Sequence, residues 1–472
     1  MLTLTDALEA ITGLRPENAA TVITEAAIDS RQVIPGSVFV AIPGEHVDGH
    51  DFVAEAFRRG ASFALIQRDM DPASFRTLDL RGGQLADPGF DFSPPFCLRV
   101  DNTVTALQQI ARFWRRKLNL RVVGITGSVG KSTTKEVVAQ VLNERFRTLK
   151  SPGNLNNEIG LPLTMLRLSS GYERAVFEMG FYVPGEIAFL CDIAQPQIGV
   201  VSNVGTVHAE RAGSQENIFL GKSELVQALP EDGVAILNFD DPLVRKMEEK
   251  TRARVFFYGL SPEAELWADG VEGLGLEGIR FRLHYHRETL HVRIPMIGRH
   301  SVHTALRATA VGLVEGLTWQ EIFNGLRQGH SQLRLVAVRS ETGALILDDT
   351  YNASPESMLA ALNLLSELDG RKVAVLGDML ELGPYEKQGH ELVGLRAAQV
   401  VKVLLTLGPR GNMIAEAARR AGMRPNAVLE FQSPEPVVEW LKKNLSDKDA
   451  VLIKGSHGLR MDRITAALEV RS

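Results

Sequence analysis

Cysteine is almost absent: Cys97 and Cys191 are the only two in 472 residues. A disulfide framework is excluded, and a reducing compartment is expected. Long apolar runs are missing as well. None reaches the roughly 18 residues that a membrane-spanning helix needs. Basic residues are not in excess, with 52 Lys and Arg against 57 Asp and Glu, a formal charge of −5 and an isoelectric point near 6.2. That balance leaves no electrostatic footprint for nucleic acid or an anionic membrane surface. The start, MLTLTDALEAITGL, carries neither a basic n-region nor a cleavage site. Leu4, Ala7, Leu8 and Ile11 recur at helical spacing instead, which predicts an amphipathic helix and no export signal. Internal repeats and low-complexity tracts are lacking too.

What is present suits a soluble, cytoplasmic, multidomain protein. Hydrophobic residues make up 44% of the chain, enough for several cores. The length suggests two to four domains of about 100–200 residues each. Three blocks emerge. Residues 1–97 mix short strands such as VFVAI (38–42) with a helix over 51–61, then a Gly-, Pro- and Asp-rich loop at 81–95. Residues 98–332 open with a helix (104–117) and the strand RVVGIT (121–126). Helices then alternate with apolar strands, AVFEM (175–179) and IGVVSNV (198–204) among them. This alternation predicts a parallel sheet with helices on both faces. Extended segments in 251–295 suggest an antiparallel flap at its edge. Residues 333–472 repeat the strand–helix alternation as a second, smaller, Rossmann-like doubly wound unit. The fold class is α/β throughout.

The most informative stretch is GITGSVGKSTTKEVVAQVL, residues 124–142. A strand ends at Thr126, a loop runs through Gly127, Ser128, Val129 and Gly130, and Lys131, Ser132 and Thr133 open a helix. Such a loop turns backbone N–H groups toward an anion, and the helix N-terminus adds partial positive charge. Lys131 would reach the β- and γ-phosphates of ATP, and Ser132 or Thr133 would hold Mg²⁺. Ile125 stands where the strict phosphate-loop pattern has its first Gly, so the match is to the shorter form GxxGKS.

TGSVGKST is the form this loop takes in the Mur ligases, and the chain resembles that family from about residue 20 to about 465. AIDSRQVIPGSVFVAIPGEHVDGHDFVAEAFRRGA (27–61) is similar to the module that holds the UDP of the precursor. SPGNLNNEIGLPLTMLRL (151–168), LILDDTYNASPESMLAAL (345–362), VAVLGDMLELG (373–383), His390 in HELVG and VLIKGSHG (451–458) resemble the member that adds D-alanyl-D-alanine to a UDP-linked muramyl tripeptide. The sequence departs from the family pattern at Ser301, Thr304, Ser354 and His457, where Asn, Asn, Asn and Arg are usual.

The resemblance implies an ATP- and Mg²⁺-dependent ligase that joins a carboxylate to an amine through an acyl phosphate, with small-molecule substrates and no nucleic acid; a monomer is expected. Alone, Glu178 at a strand end reads either as a metal ligand or as a solvated carboxylate, His208 as a capping or core histidine, and Lys222 as a solvated helix lysine. The family implies that Glu178 and His208 share a metal ion, and that Lys222 is carbamylated by CO₂ and joins them. It further places Thr304, Arg334 and Asp349 on the nucleotide. Ser30, Arg31, Asn154, Asn156 and Asn157 fall on the UDP-precursor, and Lys454, Ser456 and Asn352 on the dipeptide. Asp348 with Asp349 also reads as a strand-end turn, and Ser30 with Arg31 as an exposed one. His284, His286 and His303 read as structural or solvated, since their spacing matches no zinc set. A same-family ligase for another amino acid is disfavoured by the GNLNN and DDTYNAS motifs. A non-catalytic ATP-binding module is disfavoured by the intact Lys131, Glu178, His208 and Lys222.

Overall fold

A computed structural model describes residues 1–472 apart from 45, 86, 88, 207–208, 329–335, 351 and 470–472. The amino-terminal helix Leu4–Thr12 forms where a Thr3–Asp6 capping box closes its first turn, and Gly13 ends it in the left-handed region. Leu4, Ala7 and Leu8 are buried, as their spacing predicts. The first sheet has five strands, all paired in parallel, in the spatial order Ala26–Ala27, Val38–Val40, Phe63–Ile66, Phe96–Arg99, Thr77–Asp79. The expected boundary at 97/98 falls inside Phe96–Arg99. That strand pairs with neighbours on both sides and cannot be divided between units, so the sheet runs to Arg99. The expected boundary at 332/333 lies outside the described residues.

The central sheet has nine strands. Six of them, Thr148–Lys150, Arg174–Glu178, Arg121–Thr126, Ile198–Val201, Val234–Asn238 and Arg254–Gly259, lie side by side and parallel. Most are apolar without alternation because helices cover both faces. One face packs Val123, Ile125 and Val200 under the helices Lys131–Asn143 and Ser301–Val314. The other packs Phe177, Val201 and Leu237 under Thr103–Lys117, Glu186–Ala194 and Gln215–Gln227. The edge is the expected flap: Leu266–Gly273, Ile279–Tyr285 and Glu288–Ile294 pair antiparallel. Ile279, Phe281 and Leu283 are buried while Arg280 and Arg282 between them are exposed, the alternation of a sheet with one open face.

The third sheet has six strands, ordered Val336–Arg339, Leu345–Asp349, Asp449–Lys454, Arg371–Gly377, Val403–Leu407, Val428–Phe431, with only the first pair antiparallel. Its two faces carry their own cores. In open α/β sheets ligands bind beyond the carboxyl ends of the strands. Here residues just past the strand ends of the central and third sheets line one shared cleft.

Candidate active site

The cleft has a volume of about 570 Å³, within the range of small-molecule sites. Its floor is the phosphate loop. Thr126 ends the strand fully buried, its hydroxyl donating to the Met179 carbonyl at 3.1 Å. Gly127 sits at φ 146° and Gly130 at φ 84°. A Cβ on Gly127 would overlap the Ser202 hydroxyl, so the loop can close onto the neighbouring strand only without a side chain there. Two loop N–H groups expected to face an anion are turned inward instead. Ser128 N–H and Val129 N–H donate to the Asn203 side-chain oxygen at 3.1 and 2.9 Å, and Asn203 Nδ2 returns a bond to the Val129 carbonyl at 3.1 Å. Sequence reasoning passed over Asn203. Its signal was a polar Ser-Asn pair directly after an apolar strand. Lys131 lies back along the loop, donating to the carbonyls of Gly127 at 2.7 Å and Ser128 at 3.2 Å. Ser132 and Thr133 line the cleft from the helix's first turn.

Glu178 is 2% exposed at the end of its strand. Its Oε1 accepts Asn156 Nδ2 at 3.0 Å, while Oε2 is buried without a hydrogen-bond partner, 3.9 Å from the buried Lys135 ammonium. Asn154 and Asn156 therefore belong to the phosphate cleft, where Asn156 orients the strand-end carboxylate. Asn157 holds the turn that leads into the helix Gly160–Met165: its side chain accepts Gly160 N–H at 2.8 Å. The three asparagines expected on the UDP-precursor are thus parted from Ser30 and Arg31, which are not among the cleft residues. Ser30 is buried and Arg31 pairs with Asp29 at 2.7 Å.

Lys222 overturns its solvated reading. It is 0% exposed on the helix Gln215–Gln227, its Nζ has no hydrogen-bond partner, and it lies 4.8 Å from the centre of the Phe181 ring. Burial, reinforced by the nearby Lys131 charge, holds the amine well below the ordinary lysine range. Gly221 lets the ring in, since a Cβ there would overlap Phe181. Phe181 lines the cleft and Lys222 stands behind it. His208 and Arg334 lie outside the described residues.

The opposite wall comes from the third unit. Asp349 and Lys454 end adjacent parallel strands in register, and the ammonium donates to Asp349 at 2.6 Å and to the Asn352 carbonyl at 2.8 Å. Groups expected separately on the nucleotide and the dipeptide are therefore bound to each other. Ser456 is not a lining residue: its hydroxyl accepts Leu380 N–H at 3.1 Å, holding a turn. Ser354 caps the helix Pro355–Glu367. Thr304 lines the cleft and accepts from Arg307 at 2.8 Å. Arg307, unforeseen in the sequence, is buried and would stand 3.3 Å from a Cβ on Gly130. His303, expected to be structural or solvated, lines the cleft and meets Asp240 at 2.8 Å.

Three family profiles cover most of the chain: the Mur ligase family catalytic domain at residues 22–74, the Mur ligase middle domain at 125–312 and the Mur ligase glutamate ligase domain at 333–457. The UDP-N-acetylmuramoyl-tripeptide--D-alanyl-D-alanine ligase of Bacillus subtilis is 34% identical over 460 residues, 96% of this chain and 94% of that protein. The corresponding Escherichia coli ligase is 32% identical over 93% and 92%. Among solved structures, MurF from Acinetobacter baumannii superposes with a TM-score of 0.83 at 29% identity, covering 99% and 98% of the two chains. The Thermotoga maritima MurF ligase in complex with ADP gives 0.79 at 29%, covering 97% of each. By its matched profiles, its near full-length relatives and its shared architecture, the chain belongs to the Mur ligase family.

Proposed function

We propose that this chain is an ATP-dependent ligase that joins the terminal carboxylate of UDP-N-acetylmuramoyl-tripeptide to the amine of D-alanyl-D-alanine, in the cytoplasmic stage of peptidoglycan synthesis. The observation that carries the reading is the two-walled cleft, with the phosphate loop and Glu178 on one side and Asp349, Asn352 and Lys454 on the other. The ATP phosphates lie along Gly127–Thr133, with Lys131 on the β- and γ-phosphates. The tripeptide carboxylate attacks the γ-phosphorus in line, giving ADP and an acyl phosphate. The dipeptide amine then displaces phosphate from the acyl carbon. Water would destroy the acyl phosphate, so a site completed by two units that close on each other suits the chemistry. Ser30 and Arg31 are the proposed contacts for UDP.

The residues fit a divalent cation. Glu178 presents a buried oxygen without a hydrogen-bond partner, Ser132 adds a hydroxyl, and hard oxygen donors suit Mg²⁺. His208 belongs to the same proposed set. Lys222 offers a buried amine whose burial disfavours the ammonium and so favours the form that reacts with CO₂: nitrogen bonds to carbon, one N–H proton leaves, and an anion replaces a potential cation. When bound, the metal neutralises the mutually repelling carboxylate and triphosphate.

The test is ADP release with each substrate left out in turn. Steady turnover should need ATP, UDP-tripeptide and D-alanyl-D-alanine together. A single amino acid should fail, because its carboxylate falls one residue, about 3.5 Å, short of its partner. Full turnover with a free amino acid and none with the dipeptide would sink the assignment.

A further inference from the structure

One cleft carboxylate has no part in the phosphate or metal chemistry. Glu356, in the first turn of the helix Pro355–Glu367, lines the cleft from the third unit and reaches across to the central one. Its Oε1 accepts Thr206 N–H at 3.3 Å. Gly205 makes the approach possible: a Cβ there would lie 2.5 Å from Glu356 Oε1 and 3.4 Å from Ser128 Cβ. The carboxylate and the phosphate loop thus stand on either side of a residue that has no room for a side chain. Gly205 N–H also donates to the Ser128 hydroxyl at 2.9 Å, tying the turn to the loop. The second oxygen, Oε2, is buried with no hydrogen-bond partner. Leaving such an oxygen unmatched is costly, and a cationic ligand group would satisfy it. The other lining carboxylates are engaged elsewhere. Asp349 holds Lys454, and Glu178 stands on the metal side with Asn156.

Resting on the ligase reading, we propose that Glu356 receives the attacking amine: Oε2 binds the ammonium of the incoming dipeptide and takes its proton. An α-amino group with an ordinary pKa of about 8 arrives mostly protonated at neutral pH and has no lone pair to attack with. One N–H proton passes to Oε2. The freed pair forms the bond to the acyl carbon, the acyl C–O bond breaks with its electrons leaving on phosphate, and a second nitrogen proton departs with that phosphate. Glu356 later releases its proton to solvent. The Thr206 contact fixes where Oε2 points only while the third unit is seated on the central one, so proton acceptance is coupled to closure.

Glu356→Gln tests this. Glutamine keeps an oxygen for Thr206 N–H and nearly the same size but cannot accept the proton. The expected result is a fall of at least about 10²-fold in kcat/KM for D-alanyl-D-alanine, with KM for ATP and UDP-tripeptide unchanged. ADP formed in a single turnover without dipeptide should appear at the wild-type rate. Hydroxylamine, already neutral at pH 7, should trap the acyl phosphate as well in the variant as in the wild type, and Glu356→Asp should recover part of the loss. Wild-type kcat/KM for the dipeptide in Glu356→Gln would overturn the role. So would a parallel loss of ATP affinity and single-turnover rate, which marks a docking group only. A wild-type enzyme that releases no ADP in response to dipeptide overturns the ligase reading itself, before any variant is compared.

Discussion

Replacing Lys222 with methionine separates packing from chemistry at the most deeply buried amine of the site. Methionine fills nearly the same space without the nitrogen, and volume-conserving swaps of this kind usually cost under about 1.5 kcal/mol. Against that stands the removal of a buried nitrogen with no hydrogen-bond partner, whose desolvation costs about 1–3 kcal/mol. The two nearly offset, so the variant should melt within a few degrees of the wild type, at about 2–4 °C per kcal/mol for a unit of this size. Lys222→Ala should behave differently, losing about 2–5 kcal/mol to the cavity it leaves. Both should lose at least about 10²-fold in kcat, roughly 2.7 kcal/mol of transition-state stabilisation, because neither can carry the carbamate. The assay is coupled ADP release with Mg²⁺ varied, run beside calorimetry. Stripping CO₂ should slow the wild type and bicarbonate should restore it. Acetate, able to enter the space vacated in Lys222→Ala, should restore part of that variant's activity but none to Lys131→Ala. Wild-type kcat and Mg²⁺ dependence in Lys222→Met would refute the reasoning and leave the amine as core packing.

Lys131→Ala should lower kcat by about 10²-fold or more while leaving the melting temperature in place, because the side chain lies along the loop surface; near-normal turnover would remove the phosphate-loop assignment. Asn203→Ala strips the acceptor from Val129 N–H and the side-chain acceptor from Ser128 N–H, which keeps its bond to the Asn203 backbone carbonyl at 3.0 Å; at about 1–3 kcal/mol for the one donor left unmatched, it should raise KM for ATP, and an unchanged KM would mean the loop holds its shape without the brace. Gly221→Ala drives a methyl into Phe181, an overpacking that should cost about 1–3 kcal/mol and reduce kcat with it, read by calorimetry and ADP release. The Lys222 pKa also sets a pH slope. With the folded value held below the unfolded one, the unfolded chain binds a proton that the folded chain lacks, so stability rises with pH between the two values and falls as pH drops. In CO₂-free buffer Lys222→Met should remove that one-proton slope, about 1.4 kcal/mol per pH unit, and identical slopes would contradict the burial argument.

The parts legible in the sequence were those whose chemistry is local. Gly127, Gly130 and Lys131 announce a phosphate loop because backbone conformation and helix start are set within a few residues. The parallel sheets followed from helices alternating with apolar strands, and the flap from the extended segments in 251–295. What depended on distant partners was not legible. Lys222 occupies an ordinary helical position, and the Phe181 ring that lies over its amine is brought there by packing against Gly221. Asp349 and Lys454 are 105 residues apart in the chain, so the sequence offered two isolated charges where the fold makes one pair. The asparagines of GNLNN could serve an anion, a carboxylate or a helix end equally well. Geometry divided them, Asn156 to Glu178 and Asn157 to the turn before a helix.

The apolar core beneath one face of the central sheet does not stop at that sheet. It runs without interruption through Ile110 and Trp114 to Leu4, Leu8, Phe63 and Phe96 of the first unit, whereas, among the described residues, the third sheet's two cores draw on residues of their own and are joined from outside by Ile297. The first two units should therefore melt as a single cooperative block and the third as another, giving two calorimetric transitions that a cleft-spanning ligand draws together. During synthesis, the amino-terminal two-thirds can complete its core before the last sheet has been made.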